Sequence, residues 1–195
     1  MMMNLTYKEL RRLLAAVDLR APLGPRDYFL IVFGYSTGLR VSELAAVDVD
    51  QVTWQGVARE CLQVRACDAK YRHSRLIPLN SLARKAVSKL LAFNQARGFS
   101  VEPAAPLFQT KRHTRMPVRT MQDVVAKLRV KAGLDFQVTP KTLRHSFASD
   151  IAQNTGNLRI VQKLLGHKRL ETSAVYTHPR RDEMARAVET LAERV

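Results

Sequence analysis

The residues of this chain best equipped for chemistry are cationic and phenolic rather than acidic. Arg40 and Glu43 lie in Thr37-Gly38-Leu39-Arg40-Val41-Ser42-Glu43-Leu44, and Lys70 lies in a basic run that ends at Arg75. Lys141 and Arg144 share Thr139-Pro140-Lys141-Thr142-Leu143-Arg144-His145-Ser146-Phe147-Ala148. His167 closes Leu164-Leu165-Gly166-His167, and Tyr176 opens Tyr176-Thr177-His178. Two arginines such as Arg40 and Arg144 can clamp the non-bridging oxygens of a phosphodiester with bidentate donors that never deprotonate, where transition-state charge develops. A tyrosine can attack phosphorus if cations help it lose a proton, since its ordinary pKa is about 10. A lysine on a turn can protonate the departing oxygen, and a histidine can hydrogen-bond a phosphate oxygen. Lys141 and Arg144, three residues apart, would share one helix face. Glu43 suits orienting an arginine better than chemistry of its own.

Each of these residues also has a plainer reading. Arg40 fits a surface arginine at a helix start, and Lys70 a cation that only touches phosphate. Lys141 fits a solvated first-turn residue, and His167 a helix-end histidine favoured by the dipole. Tyr176 fits half-buried core with its hydroxyl satisfied. Tyr7, Tyr28, Tyr35 and Tyr71 read as packing or surface residues, and His145 as structural. His73, His113 and His178 have no evident partner in the sequence.

The composition narrows the partner. Lys+Arg number 32 against 17 Asp+Glu, a formal net charge of +15, which favours a polyanion and a steep dependence on salt. The cations are dispersed through foldable sequence, so a folded surface meeting phosphates in several places is expected rather than a basic tail. Hydrophobic residues make up 46% of the 195, with Gly and Pro only 8 each, which excludes a disordered or collagen-like chain. No apolar run nears the roughly 18 residues that span a bilayer, and the N-terminus lacks a signal-peptide pattern. Cys61 and Cys67 have no metal-binding spacing, and no carboxylate cluster suggests an ion. We therefore expect a reduced, cytoplasmic protein with no membrane partner, metal or other cofactor.

The elements that must hold these residues follow from periodicity. Thr6-Tyr7-Lys8-Glu9 predicts a capping box, followed by a helix with Leu10, Leu13, Leu14 and Val17 on one face. Pro25 suits the first turn of a second helix, apolar nearly all round from Tyr28 to Tyr35, hence central, and stopped at Gly38. A short helix from about Val41 to Ala46 presents Arg40 and Glu43 at its start. From Val47 to Leu79 the period falls towards two, predicting a small antiparallel sheet with a basic turn from Ala66 to Arg75. Ser81 is expected to cap the next helix. Residues 98–117 read as a loop with a short hairpin, and Met121 to Leu128 as a helix closed by Gly133. Helices follow from Pro140 to about Asn154, through Leu158, Val161, Leu164 and Leu165, and through Met184, Val188 and Leu191. The last stripe can dock into a neighbour or pack on its own domain. The fold class is α+β, mostly helical.

Taken together, the five strings resemble, in order and spacing, the catalytic domain of the tyrosine recombinase (phage-integrase-type) family, from about Thr6 to His178. The resemblance implies that Arg40 and Arg144 are the two family arginines, Glu43 the acidic residue, Lys70 the β-turn lysine, His167 the later histidine and Tyr176 the nucleophile. Lys70 is matched by counting back from Arg75-Leu76-Ile77-Pro78-Leu79. Lys141 departs from the histidine the family most often carries there, although some relatives carry lysine at this position. The family further implies cleavage and rejoining of double-stranded DNA through a 3′-phosphotyrosine without ATP, by four protomers on paired sites, each a monomer in isolation. Arg72, Arg75, Lys111, Arg112, Arg115 and Arg119 are the expected DNA contacts. Residues 1–195 are expected to be one catalytic domain without the N-terminal DNA-binding domain that members usually carry, either a naturally small recombinase or a fragment. Two other readings share the fold: a DNA-binding regulator that has lost turnover, and a type IB topoisomerase-like relaxing enzyme.

Overall fold

The computed structural model describes residues 4–68, 74–166 and 181–192. Helix α1 (Tyr7–Ala15) starts as the capping box dictates: Glu9 Oε2 accepts the Thr6 amide at 2.7 Å and Thr6 Oγ1 accepts the Glu9 amide at 3.3 Å. Its inner face buries Leu10, Leu13 and Leu14. Helix α2 (Gly24–Thr37) is buried continuously from Phe29 to Thr37, as its all-round apolar sequence requires of a central element. It packs against α5 (Ser81–Ala96) and α7 (Pro140–Thr155), and Tyr35 donates its hydroxyl to Asp150 Oδ2 at 2.7 Å.

Between the helices, two sequence expectations give way. The sheet was expected from Val47 onward, yet after α3 (Val41–Ala46) residues Val49–Val52 form α4. Gln51 decides this: its Oε1 accepts the Asp48 amide at 2.8 Å and its Nε2 donates to Gln63 O at 2.8 Å, so side-chain capping overrides the period. The described strands also form two sheets rather than one. Strands β1 (Thr53–Trp54) and β2 (Val57–Ala58) pair antiparallel, as do β3 (Cys61–Val64) and β4 (Arg75–Pro78), the latter in register Leu62↔Ile77 and Val64↔Arg75. Asn80, not Ser81, caps α5, because its side chain reaches the Ala83 amide at 2.8 Å and Ser81 already lies inside the helix.

Residues 98–117 form a loop with the expected hairpin. Gln109 bridges Arg115, the Thr110 amide donates to Thr114 O at 2.8 Å, and His113 takes a left-handed φ of 59° at the tip. Helix α6 (Val118–Lys131) buries Met121, Val125 and Leu128. In α8 (Leu158–Leu165) the Asn157 cap sets the helical phase so that Ile160, Leu164 and Leu165 face inward, while Leu158, expected on the stripe, is exposed. Helix α9 (Arg181–Glu189) carries the last stripe and packs it within the chain. Met184, Val188 and Leu191 are buried on their own domain, against α7, α8 and β4, and Val188 O accepts Asn80 Nδ2 at 3.0 Å. No described helix is long and apolar enough to cross a membrane.

Candidate active site

Two helix ends and one helix start meet at the motif residues. Helix α2 stops at Gly38, whose φ of 59° is left-handed and where a Cβ would run into the Phe147 ring, so only glycine fits. The turn puts Gly38 O outside the helix, and Arg144 on α7 donates Nη1 to it at 2.6 Å. Helix α8 ends at Gly166 in the same conformation, leaving its last carbonyls without helical partners. Arg144 Nη2 takes Leu165 O at 2.9 Å, and Arg75 Nε takes Leu164 O at 2.9 Å. Cations are favoured at a helix C-terminus, where the dipole is negative.

Glu43 joins these guanidiniums. It is the third residue of α3, and its Oε2 accepts the Arg40 amide at 2.8 Å, closing the helix start. Oε1 accepts from Arg40 Nη1 at 2.9 Å and from Arg75 Nη1 at 2.9 Å, while Oε2 accepts from Arg75 Nη2 at 2.7 Å. Arg144 Nη1 stands 3.8 Å from Oε2. Burial pushes the Glu43 carboxyl up, but the hydrogen bond and charge of Arg75, with the amide and charge of Arg40, together hold it below the ordinary value. Arg144 is lowered to about 10, first by burial and then by the charge of Arg40, with Glu43 opposing and Arg75 adding to the fall; it stays protonated at neutral pH. Among the described residues, three guanidiniums on one carboxylate leave the cluster doubly positive, the sign that a phosphodiester would meet.

The structure thus brings together Arg40, Glu43 and Arg144, whose side chains are 21%, 1% and 9% exposed. Lys141 is exposed in the first turn of α7, and its charge reaches His145, the next residue after Arg144. His145 titrates below its ordinary value, by burial first and then by Lys141 and Arg144, and its Nε2 is buried without a hydrogen-bond partner among the described residues. Lys70, Arg72, His167 and Tyr176 lie outside the described residues. Among the expected DNA contacts, Lys111 and Arg112 are exposed at the hairpin. Arg119 is exposed and pairs with Asp123 at 3.1 Å. Arg115 instead secures that hairpin, donating to Ala45 O at 3.0 Å and pairing with Asp48 at 2.5 Å. Asp48 also takes Arg65 at 2.7 Å, a network that sequence reading missed.

Arg75 is the main surprise, turned inward onto Glu43 although it ends a basic run. One signal was available: alternation along β4 puts Arg75 on the face of buried Ile77, with Leu76 outward and 47% exposed.

The profile of the phage integrase family matches residues 3–183, and the chain belongs to that family. It is 37% identical over 176 residues to tyrosine recombinase XerC of Proteus mirabilis, an alignment covering 90% of this chain and 54% of that protein. It is 33% identical over 185 residues to tyrosine recombinase XerD of Corynebacterium glutamicum, covering 93% and 58%. The crystal structure of XerA recombinase superposes with a TM-score of 0.70 at 27% identity, over 97% of this chain and 65% of that one. The chain thus spans a little over half the length of the curated relatives it matches.

Proposed function

We propose that this chain is the catalytic domain of a site-specific DNA recombinase that cleaves and rejoins duplex DNA through a 3′-phosphotyrosine. The observation that carries the reading is the meeting of Arg40 and Arg144 on Glu43, with Arg144 anchored on a carbonyl 106 residues away in sequence. A doubly positive, partly buried cluster with rigid donors is suited to a phosphodiester whose oxygens gain charge as phosphorus is attacked. Its donors are held by helix-end carbonyls and Glu43 before substrate arrives, so little reorganisation accompanies the reaction.

The chemical steps follow from residue types. Tyr176 gives up its phenolic proton to water, its Oη attacks phosphorus, the bond to the 5′-oxygen breaks, and that oxygen takes a proton from Lys70, which regains one from water. The phosphodiester bond is exchanged for a phosphotyrosine bond of similar energy, so rejoining by a 5′-hydroxyl needs no nucleotide. Arg40 and Arg144 neutralise the non-bridging oxygens, His167 hydrogen-bonds one of them, and Lys141 adds positive charge beside Arg144. Lys111, Arg112 and Arg119 meet the backbone of the duplex, and recombination joins four protomers on two sites in the cytoplasm.

The test is covalent trapping on nicked duplexes carrying candidate sites. A denaturation-resistant adduct in wild type, lost in Arg144→Ala, supports the reading. Retained binding without an adduct would make the protein a DNA-binding regulator. Relaxation of supercoiled plasmid without recombinant product would make it a topoisomerase-like enzyme.

A further inference from the structure

We propose that Arg75 is a positioning residue of this site: through Glu43 and the end of α8 it sets the geometry of the Arg40–Arg144 pair. The inference rests on the recombinase reading for its catalytic consequence, but not for its structural one.

Three observations carry it. Arg75 is the only residue described here that binds both Glu43 oxygens through its side chain, with Nη1 and Nη2 in a parallel fork at 2.9 and 2.7 Å. The same guanidinium donates Nε to Leu164 O, next to Leu165 O, which Arg144 binds. One planar group therefore ties α3, which carries Arg40 at its start, to α8, which holds Arg144. Gly166 completes the fit, since a Cβ there would stand 3.0 Å from Arg75 Cδ. The side chain is 9% exposed and its fork is committed to Glu43, so it acts on the phosphate through Arg40 and Arg144 rather than by contact.

The arrangement also divides the labour of charge. With Arg75 fixed in the fork, Glu43 is drawn to a cation that faces inward, and the charge of this described cluster is carried by the two arginines that the phosphate would meet. Lysine keeps the charge but loses both the fork and the Nε donor, which makes Arg75→Lys the informative change.

Two measurements test this. In the first, the Nε–H resonances of Arg40 and Arg144 are followed by NMR in the intact chain, with no DNA. Arg75→Lys should shift both, and unchanged resonances in a folded variant would overturn the coupling. In the second, adduct formation on a nicked duplex should slow by about 10²-fold in Arg75→Lys, as expected for clamp groups displaced by about 1 Å. On the same duplex with one non-bridging oxygen of the scissile phosphate replaced by methyl, the transition state carries one negative charge fewer to neutralise, and the deficit should shrink to about tenfold or less. Equal slowing on both substrates would mean general structural damage and would overturn the proposal. If Arg75→Lys does not fold, Gly166→Ala displaces the same side chain from the opposite side, with the same expected outcomes. Failure of wild type to form any adduct would count against the recombinase reading alone, because the resonance measurement stands without it.

Discussion

Replacing Glu43 by glutamine should be costly and should leave a mark on the pH dependence of stability. Glu43 is 2% exposed and accepts four hydrogen bonds, three from guanidiniums and one from the Arg40 amide. Glutamine fits the space but keeps only one acceptor oxygen, turns an N–H₂ towards a guanidinium, and removes the Glu43 charge from three buried or half-buried cations. Removing one partner of a buried ion pair costs about 3–5 kcal/mol, and the retained oxygen puts Glu43→Gln at about 3 kcal/mol. For a chain of this size that is a fall in Tm of roughly 6–12 °C. The folded state should survive, because domains are stable by about 5–15 kcal/mol. The sign of the pH effect follows from the direction of the shift. The folded carboxyl titrates below its ordinary 4.5, so its contribution is complete above that pH and is lost as pH falls through the lower folded value. Thermal melts of wild type and Glu43→Gln from pH 7 to pH 3 should therefore differ by a constant amount down to about pH 5 and converge below it. A difference of under about 2 °C at pH 7, or one that persists unchanged to pH 3, would refute the assignment of charge to Glu43.

Three further comparisons extend this to the turn at Gly38, the hairpin and the last helix. Gly38→Ala should lose about 1–3 kcal/mol for a left-handed non-glycine residue, and more for the Phe147 collision. Gly98→Ala, with φ of 71° and nothing within 4 Å, should lose only the backbone part, as denaturant titration would show. Replacing Lys111 and Arg112 together by alanine should lower the slope of log K against log salt on duplex DNA by about 2. Arg115→Ala should instead lower stability, because Arg115 is bound to Asp48 and Ala45. Leu191→Ala should destabilise the monomer by about 2–5 kcal/mol, since Leu191 is fully buried on its own chain. No change in the unfolding midpoint would contradict the packing of α9.

What could be read in the sequence and what could not separate along physical lines. Thr6 with Glu9, Gly38 and Gly133 announced helix starts and ends, because caps are local and use few residue types. The run from Tyr28 to Tyr35 announced its central place, because only a buried helix is apolar on every side. Arg40, Glu43 and Arg144 were found as types in strings, although only the folded chain shows them meeting. Arg75 was hidden because an arginine in a basic run looks solvated until its strand face is counted. Helix α4 was hidden because Val47 and Val49 keep a strand period, while the turn from Val49 to Val52 is set by Gln51 through a long-range bond to Gln63 O. The stripe of α9 specified an apolar partner but not whose, since amphipathicity carries no address.

The most direct measurement is the chemical identity of the DNA–protein bond. A nicked duplex that traps the intermediate should yield an adduct with wild type, and digestion should place the 3′-phosphate on the peptide containing Tyr176. Tyr176→Phe should bind the same DNA with unchanged salt dependence and give no adduct. An adduct that persists in Tyr176→Phe, or one mapped to another residue, would contradict the account at its centre.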